Sequence, residues 1–544
     1  MMNLIKRIVL TICLLLSANS FAHVGSPGVV YEGKAGPYQL MVSISPPDVI
    51  PGTANIQIYV ENGVVDEIWV KPIYWYAGDE GSPSPDPALP VPDSPGQYQG
   101  IVWLMSSGTA SLEIEVKGPD GEGKALIPLM AAATAQKEME PGLGWVLAIL
   151  GILLVILMAT IIGSSVSDAL LPPGKESSLR GRRIRGITIS LGLMSLILYG
   201  GASWWNSWAD NYKRYMYEPF KAESSIVSKN GKTVMEFMID PNYREYRGNT
   251  LSPAYMIPDH GKLMHMFVMR EGTLDAFAHL HPHRKDSLTY ETNWPPLPKG
   301  RYFVFADIVR AHGFQETIVD TLVVESEVTP EEWDRMDSDD TFIRSNPVES
   351  NDDFDFGSDV IVCGKPGVRT PLPDGSTAIW EYDAAQPLKT GTLYPMTFNI
   401  LNPDGEPAEL EPYMGMMGHM VVMKYDGSVY IHLHPVGSYS TASQEIMDTR
   451  IAGSGRPGEF SPAPVFMDSV DNEVERIASL TEEERNDYLS ELMNHDIESD
   501  GEHEGHSVVT FPYVFPEAGD YRIWIQMKRN GQVLNTAFDA TVVE

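Results

Sequence analysis

Two hydrophobic patterns divide this chain. Residues 143–164 and 186–205 are unbroken apolar runs of about twenty residues without a charge, the length a helix needs to cross a bilayer. Elsewhere apolar and polar residues alternate in short stretches, such as 39–44, 55–60 and 110–116, punctuated by Pro and Gly. Period-two alternation predicts antiparallel strands with one buried face, as in a sandwich. The Pro-rich stretch 82–95 reads as a long loop. The fold class expected is mainly β: three Ig-like or cupredoxin-like antiparallel β-sandwich domains, with a two-helix transmembrane hairpin between the first and second.

The flanks of the apolar runs set the topology. Lys6 and Arg7 precede an apolar stretch at 8–16, and Ser20-Phe21-Ala22 offers a small-x-small cleavage site. Residues 1–22 therefore read as a secretory signal peptide, with His23 at the new N-terminus; an uncleaved anchor is the alternative. Between the two long runs, Lys175, Arg180, Arg182, Arg183 and Arg185 outweigh Asp168 and Glu176. The positive-inside rule makes 165–185 a basic cytoplasmic loop and puts both flanking regions outside. Trp145, Trp204 and Trp205 then meet at the outer interface. The expected location is the inner (cytoplasmic) membrane, with both mature termini on the periplasmic or external side.

Outside the membrane, residues 23–135 form the first sandwich. Residues 223–325 and 358–544 repeat one module, since Gly300-Arg301-Tyr302-Phe303-Val304-Phe305 resembles Gly519-Asp520-Tyr521-Arg522-Ile523-Trp524. Between the copies, 326–357 reads as an acidic linker with a short helix starting at Thr329. The second copy carries an insertion, 436–510, in which Thr481 and Glu484 make a capping box for a helix through about Met493. It ends in an acidic loop bearing His495, His503 and His506, a composition that binds metals loosely.

Each module also contains a His hairpin. Residues 260–282 and 418–435 both run from an apolar strand bearing one His, through a turn, to a strand ending His-Leu-His-Pro. Strand side chains alternate faces, so the two His of each His-Leu-His share a face. Asp426-Gly427 is a two-residue hairpin signal that sets His419 opposite His434, with His432 on the same face. A turn centred on Thr273 sets His265 opposite His281, with His279 the diagonal neighbour. Each hairpin thus gathers three imidazoles, a spacing that suits a metal ion. His260 and His283 flank the first set as substitutes.

Composition narrows the chemistry. A chain of 544 residues suits roughly three domains. The net charge of −34 argues against a nucleic-acid partner. Two cysteines, Cys13 and Cys363, exclude a disulfide framework and a Cys-rich zinc site. All thirteen histidines lie in the exported parts, and methionines crowd the same strands. Imidazole suits copper, zinc and nickel, while thioether favours Cu(I), so the pair points to copper, with zinc as the alternative. By strand parity Met269 shares the face of His265, and Met423 that of His419, making these the best-placed thioethers; the other methionines read as core. No nucleophile elbow, phosphate loop or dinucleotide fingerprint stands in its required context.

The phrases MIPDHGKLMHMFVMREGTLDAFAHLHP, MGMMGHMVVMKYDGSVYIHLHP and FPEAGDYRIWIQMKRNGQV resemble exported bacterial His-Leu-His-Pro β-sandwich proteins. The N-terminal domain with its membrane hairpin is similar to the YtkA-like group. The resemblance implies membrane-tethered metal binding through His265, His279, His281, His419, His432 and His434. The function expected is binding copper, with a role in metal homeostasis or delivery and a membrane protein as exchange partner. The rival is a non-catalytic scaffold with incidental histidines; a copper-dependent oxidoreductase would need an open coordination position and turnover.

Overall fold

The computed structural model describes residues 23–24, 28–168, 171–175, 180–247, 251–325, 328–330, 333–345, 360–453, 460–493 and 507–544. The expected signal peptide, the loop bearing His495, His503 and His506, and part of the helix expected at Thr329 lie outside these residues. The fold is mainly β, with several sheets and two apolar helices. Contacts divide the chain into one unit of residues 133–218 with 246–248 and a second holding the remainder.

The smaller unit contains helices Pro141–Asp168 and Arg180–Arg214. Gly163 lies against Ile187 and Gly186 against Val166, so the absent Cβ atoms allow close approach. Both helices are long and apolar enough to cross a membrane. They overrun the apolar stretches, and the segment read as a loop is helical from Arg180. The breakers Pro172, Pro173 and Gly174 stand alone between the helices, and arginine is a good helix former.

The larger unit begins with the N-terminal sandwich. Strands Val29–Ala35, Tyr38–Ser45, Gly52–Val60 and Gln97–Leu104 connect through Asp86–Pro90 to Glu67–Tyr74, Gly108–Gly118 and Gly121–Ala131. The stretch read as a loop therefore contributes a strand. Asp86–Pro90 is a short edge element joining the two halves, a place where proline is tolerated.

Each His module sets a four-stranded sheet beside a larger one. In the first, strand His265–Arg270 pairs with Ala276–Leu280 on one side and Gly300–Arg310 on the other. In the second, His419–Lys424 lies between Val429–Leu433 and Gly519–Arg529. The registers Met266↔Leu280 and Met420↔Leu433 are those required by the turns. His23–Val24 pairs in parallel with Val429–Leu433.

Part of the segment read as linker pairs with the first module. Thr341–Ser345 pairs with Ala276–Leu280, closing the outer edge of the hairpin. Five residues flanked by acid are too few to display a period, so tertiary pairing decided this strand. In the insertion, helices Thr441–Ile451, Ala463–Ser479 and Glu482–Met493 form. The capping box is present: Thr481 Oγ1 donates to Glu484 Oε2 at 2.7 Å, and the Glu484 amide donates to Thr481 Oγ1 at 3.3 Å.

The two hairpins face each other. Phe267, Met269, Phe277 and Phe305 of the first module share one buried cluster with Val421, Met423, Tyr430 and Trp524 of the second. Phe305 stacks on Tyr430 with centroids 3.9 Å apart, and Phe277 on Trp524 at 4.9 Å. Arg522 reinforces the contact. It grips Asp539 bidentately at 2.8 and 3.0 Å and donates to the Leu274 carbonyl and Ser345 Oγ of the first module. Arg522→Ala removes four hydrogen bonds of a buried guanidinium, two of them to the first module, and should cost about 3 kcal/mol of unfolding free energy, measured by urea denaturation.

A candidate metal centre between the two modules

Facing the hairpins brings their imidazoles together. His265, His279 and His281 meet His419, His432 and His434 in one cluster, joined by His260 from the turn before the first hairpin. All seven are buried, none more than 8% exposed. The two expected triads lie against each other in one cluster, with His265–His432 and His279–His419 ring contacts across the modules. Nitrogens of His265, His279 and His281 lie within 4.8 Å of one another, and so do those of His260, His419 and His434. The second set therefore draws ligands from both modules.

The arrangement is pseudo-symmetric. Centroid separations of 5.3 Å for His265–His281 and 4.5 Å for His279–His281 are matched by 5.2 Å for His419–His434 and 4.5 Å for His432–His434. The pairs crossing between modules also correspond, with His265–His432 at 5.6 Å and His279–His419 at 6.1 Å. His279 Nδ1 lies 2.8 Å from Gln526 Oε1, and its counterpart His432 Nδ1 lies 3.4 Å from Asp307 Oδ2. Gln526 and Asp307 occupy matching positions, opposite His419 and His265 respectively.

Hydrogen bonds at the rear of the rings fix which nitrogens face inward. The Asp259 carbonyl can only accept, so His265 Nε2 donates to it at 3.1 Å, and Nδ1 keeps a lone pair. The Gln526 amide nitrogen is engaged by Thr341 and Asn535, so its Oε1 accepts from His279 Nδ1, leaving Nε2 bare. These two lone pairs, His265 Nδ1 and His279 Nε2, then face each other at 3.1 Å. A cation relieves that repulsion. His281 Nδ1 donates to Asp340 Oδ1 at 3.1 Å and His434 Nδ1 to the Tyr439 carbonyl at 3.3 Å. Among the described residues, the Nε2 atoms of His281, His434, His432 and His260, and both nitrogens of His419, have no hydrogen-bond partner, the nearest carboxylate to His260 Nε2 being Asp259 Oδ1 at 3.6 Å. Carboxylate or carbonyl behind a ring, with a lone pair in front, is the usual support of a metal-binding histidine.

Electrostatics agree with neutral rings. Burial, reinforced by neighbouring imidazoles, holds His265, His279, His419 and His432 well below the ordinary imidazole range. Burial likewise lowers His260, against the opposing pull of Asp259, and takes His434 to about 3. Asp307 is pushed up to about 7 by burial, although Thr317 and Tyr430 hydrogen-bond to it. A cavity of about 10 Å³ is lined by Asp259, His265, Asp307, His432 and His434 among others, room for about one water molecule. The donor set is chemically able to hold metal.

The remaining candidates lie elsewhere. Met269 and Met423 do share the faces of His265 and His419, but four residues along each strand, fully buried in the apolar cluster among Phe267, Phe277 and Trp524. Their thioether role is withdrawn on packing grounds. His283 is exposed and joins no set. His312 stands edge-on to Trp75 of the N-terminal sandwich at 5.8 Å. The sequence reading missed Asp307, Asp340 and Gln526, which support the ring backs from distant segments. It also took His260 for a mere substitute.

Residues 373–461, which include the second hairpin, match a domain of unknown function, DUF8832. No curated protein matches the chain by sequence. Among solved structures, a chimeric titin Z1Z2 functionalized with a KLER exogenous peptide from decorin is 9% identical with a TM-score of 0.12, over 55% of this chain and 99% of that one. One described as "Putative membrane anchored protein from Corynebacterium diphtheriae" is 9% identical with a TM-score of 0.11, over 94% and 95% respectively. At these TM-scores neither likeness bears on function.

Proposed function

We propose that this protein is a membrane-anchored cell-envelope metal-binding protein whose paired His modules hold copper in one shared, buried centre. Its role is metal homeostasis or delivery, with exchange to or from a membrane partner. The observation that carries the reading is the set of bare imidazole nitrogens: each buried, unpaired polar atom costs roughly 1–3 kcal/mol. Six such atoms in one cluster are a standing cost that a bound cation offsets. Copper is favoured over zinc because seven imidazoles next to methionine-rich turns supply borderline and soft donors. The two apolar helices supply the anchor, and the N-terminal signal supports export.

The full chain, purified in detergent and desalted after exposure to copper and zinc, tests this by elemental analysis. Retained copper in the parent, and none in a His279→Gln, His281→Gln, His432→Gln, His434→Gln variant of equal helical and strand content, is the expected result. Equal retention by both, or none by the parent, overturns the reading.

The scaffold alternative is separated by His419→Leu. Among the described residues His419 has no hydrogen-bond partner at either nitrogen, so replacing it by an apolar residue should raise metal-free stability by about 1 kcal/mol while weakening copper binding. A structural histidine would instead leave the variant destabilised in urea titration.

A further inference from the structure

The pseudo-symmetry pairs His260 with a residue that is not a histidine. Asp259-His260-Gly261-Lys262 and Tyr413-Met414-Gly415-Met416 each stand five residues before the strand His, His265 or His419. Both are tight turns of one kind. Asp259 and Lys262 exchange backbone hydrogen bonds of 2.8 and 2.9 Å, and Tyr413 and Met416 exchange bonds of 2.6 and 3.2 Å. His260 and Gly261 have φ of 50° and 77°; Met414 and Gly415 have 51° and 80°. Positive φ at a non-glycine residue is uncommon, and its recurrence at both positions shows that the two turns present their second residue alike.

His260 uses that presentation to cross between modules. Its ring lies 4.7 Å from His434 and 5.8 Å from His419, both of the second module. The turn at Met414 crosses in the other direction. Tyr413 donates to the Asp339 carbonyl at 2.8 Å, in the acidic segment whose Asp340 orients His281. Met414 itself is 2% exposed. The adjacent Tyr413 ring stands edge-on to His419 at 5.2 Å, so this turn lies against the histidine cluster.

We infer that Met414 is the thioether donor of the first histidine set, so that the shared centre has two unequal halves. One half is His265, His279 and His281 with Met414; the other is His419 and His434 with His260. Thioether sulfur is soft and favours Cu(I), whereas an all-imidazole half suits Cu(II) and, more weakly, zinc. The two halves supply four and three donors, counts that suit one ion each, and His432 stands between them, its ring 5.6 Å from His265 and 5.5 Å from His419. This deepens the proposed function and rests on it.

The test is X-ray absorption at the copper edge on the full chain loaded with Cu(I) under ascorbate, with copper counted in parallel. The parent is expected to show sulfur scattering at about one sulfur per two coppers. Met414→Leu, a volume-conserving change, and Met414→His should abolish it. Met414→His should keep the parent copper count, with nitrogen scattering only. Met269→Leu should leave the sulfur signal intact. A parent spectrum with nitrogen alone, or sulfur scattering that survives in both Met414 variants, overturns the assignment while leaving the copper centre standing. A parent that retains no copper overturns the centre itself, and the assignment with it.

Discussion

Replacing His260 with alanine should release the ion held by His419 and His434, residues some 160–175 positions away in the other module. Loss of a supporting group behind a ligand typically weakens metal affinity about 10–100-fold, so loss of a direct ligand should weaken it at least about 100-fold. The ion held by His265, His279 and His281 should stay, because the described ligand set there does not include His260. Titration against a calibrated copper chelator reads both affinities. His283→Ala is the control: that ring is exposed and near in sequence, and its loss should change neither value. If His260→Ala binds like the parent, the modules bind metal independently and the shared centre is wrong. The variant removes a buried, strained residue, so its folding is verified first by circular dichroism.

The second large effect is on acid stability. Six of the seven histidines have pKa values lowered in the folded state, chiefly by burial. Unfolding releases them to an ordinary value near 6.5, where they take up protons. Stability from these groups is therefore complete above about pH 6.5 and falls as pH drops below it. Asp307 and Glu32, both raised to about 7 by burial, act in the opposite sense, binding protons in the folded state that the unfolded chain releases. The six histidines outnumber the raised carboxylates Asp307, Glu32 and Glu61, so unfolding takes up protons on balance as pH falls below about 6.5. Metal-free stability should therefore fall by about 1.4 kcal/mol per pH unit for each proton taken up. Bound copper holds the rings unprotonated and should move this loss to lower pH, since metal and proton compete for the same lone pairs. Urea denaturation at pH 7, 6 and 5, with and without copper, reads the slope. A metal-free protein equally stable at pH 7 and pH 5 would mean that the rings are solvated and the buried centre does not exist.

Much of this centre follows from local sequence. Alternation put His279 and His281 on one face, and the turns at Thr273 and Asp426-Gly427 set the registers actually found. The Thr481–Glu484 cap and the two apolar helices are likewise short-range features, fixed by residues within a few positions of each other. Other features depended on contacts that no local period encodes. The strand Thr341–Ser345 exists because it can pair with the hairpin edge. Asp340, Asp307 and Gln526 stand 59, 125 and 247 positions from His281, His432 and His279, the rings they support, so nothing near the His-Leu-His motifs announces them.

Sequence alone determined that each module would carry a three-histidine face, because side-chain direction in a strand is a matter of parity. It could not determine what that face would meet. Two apolar-backed His faces were free to bind separate ions, and Met269 and Met423 were free to serve as ligands, until the modules packed. Stacking of Phe305 on Tyr430 and Phe277 on Trp524 pressed the faces together, buried both thioethers in the core, and brought His260 across to the other module. The hydrophobic contact between two distant hairpins brought the two histidine sets into one cluster and placed His260 of one module among the rings of the other.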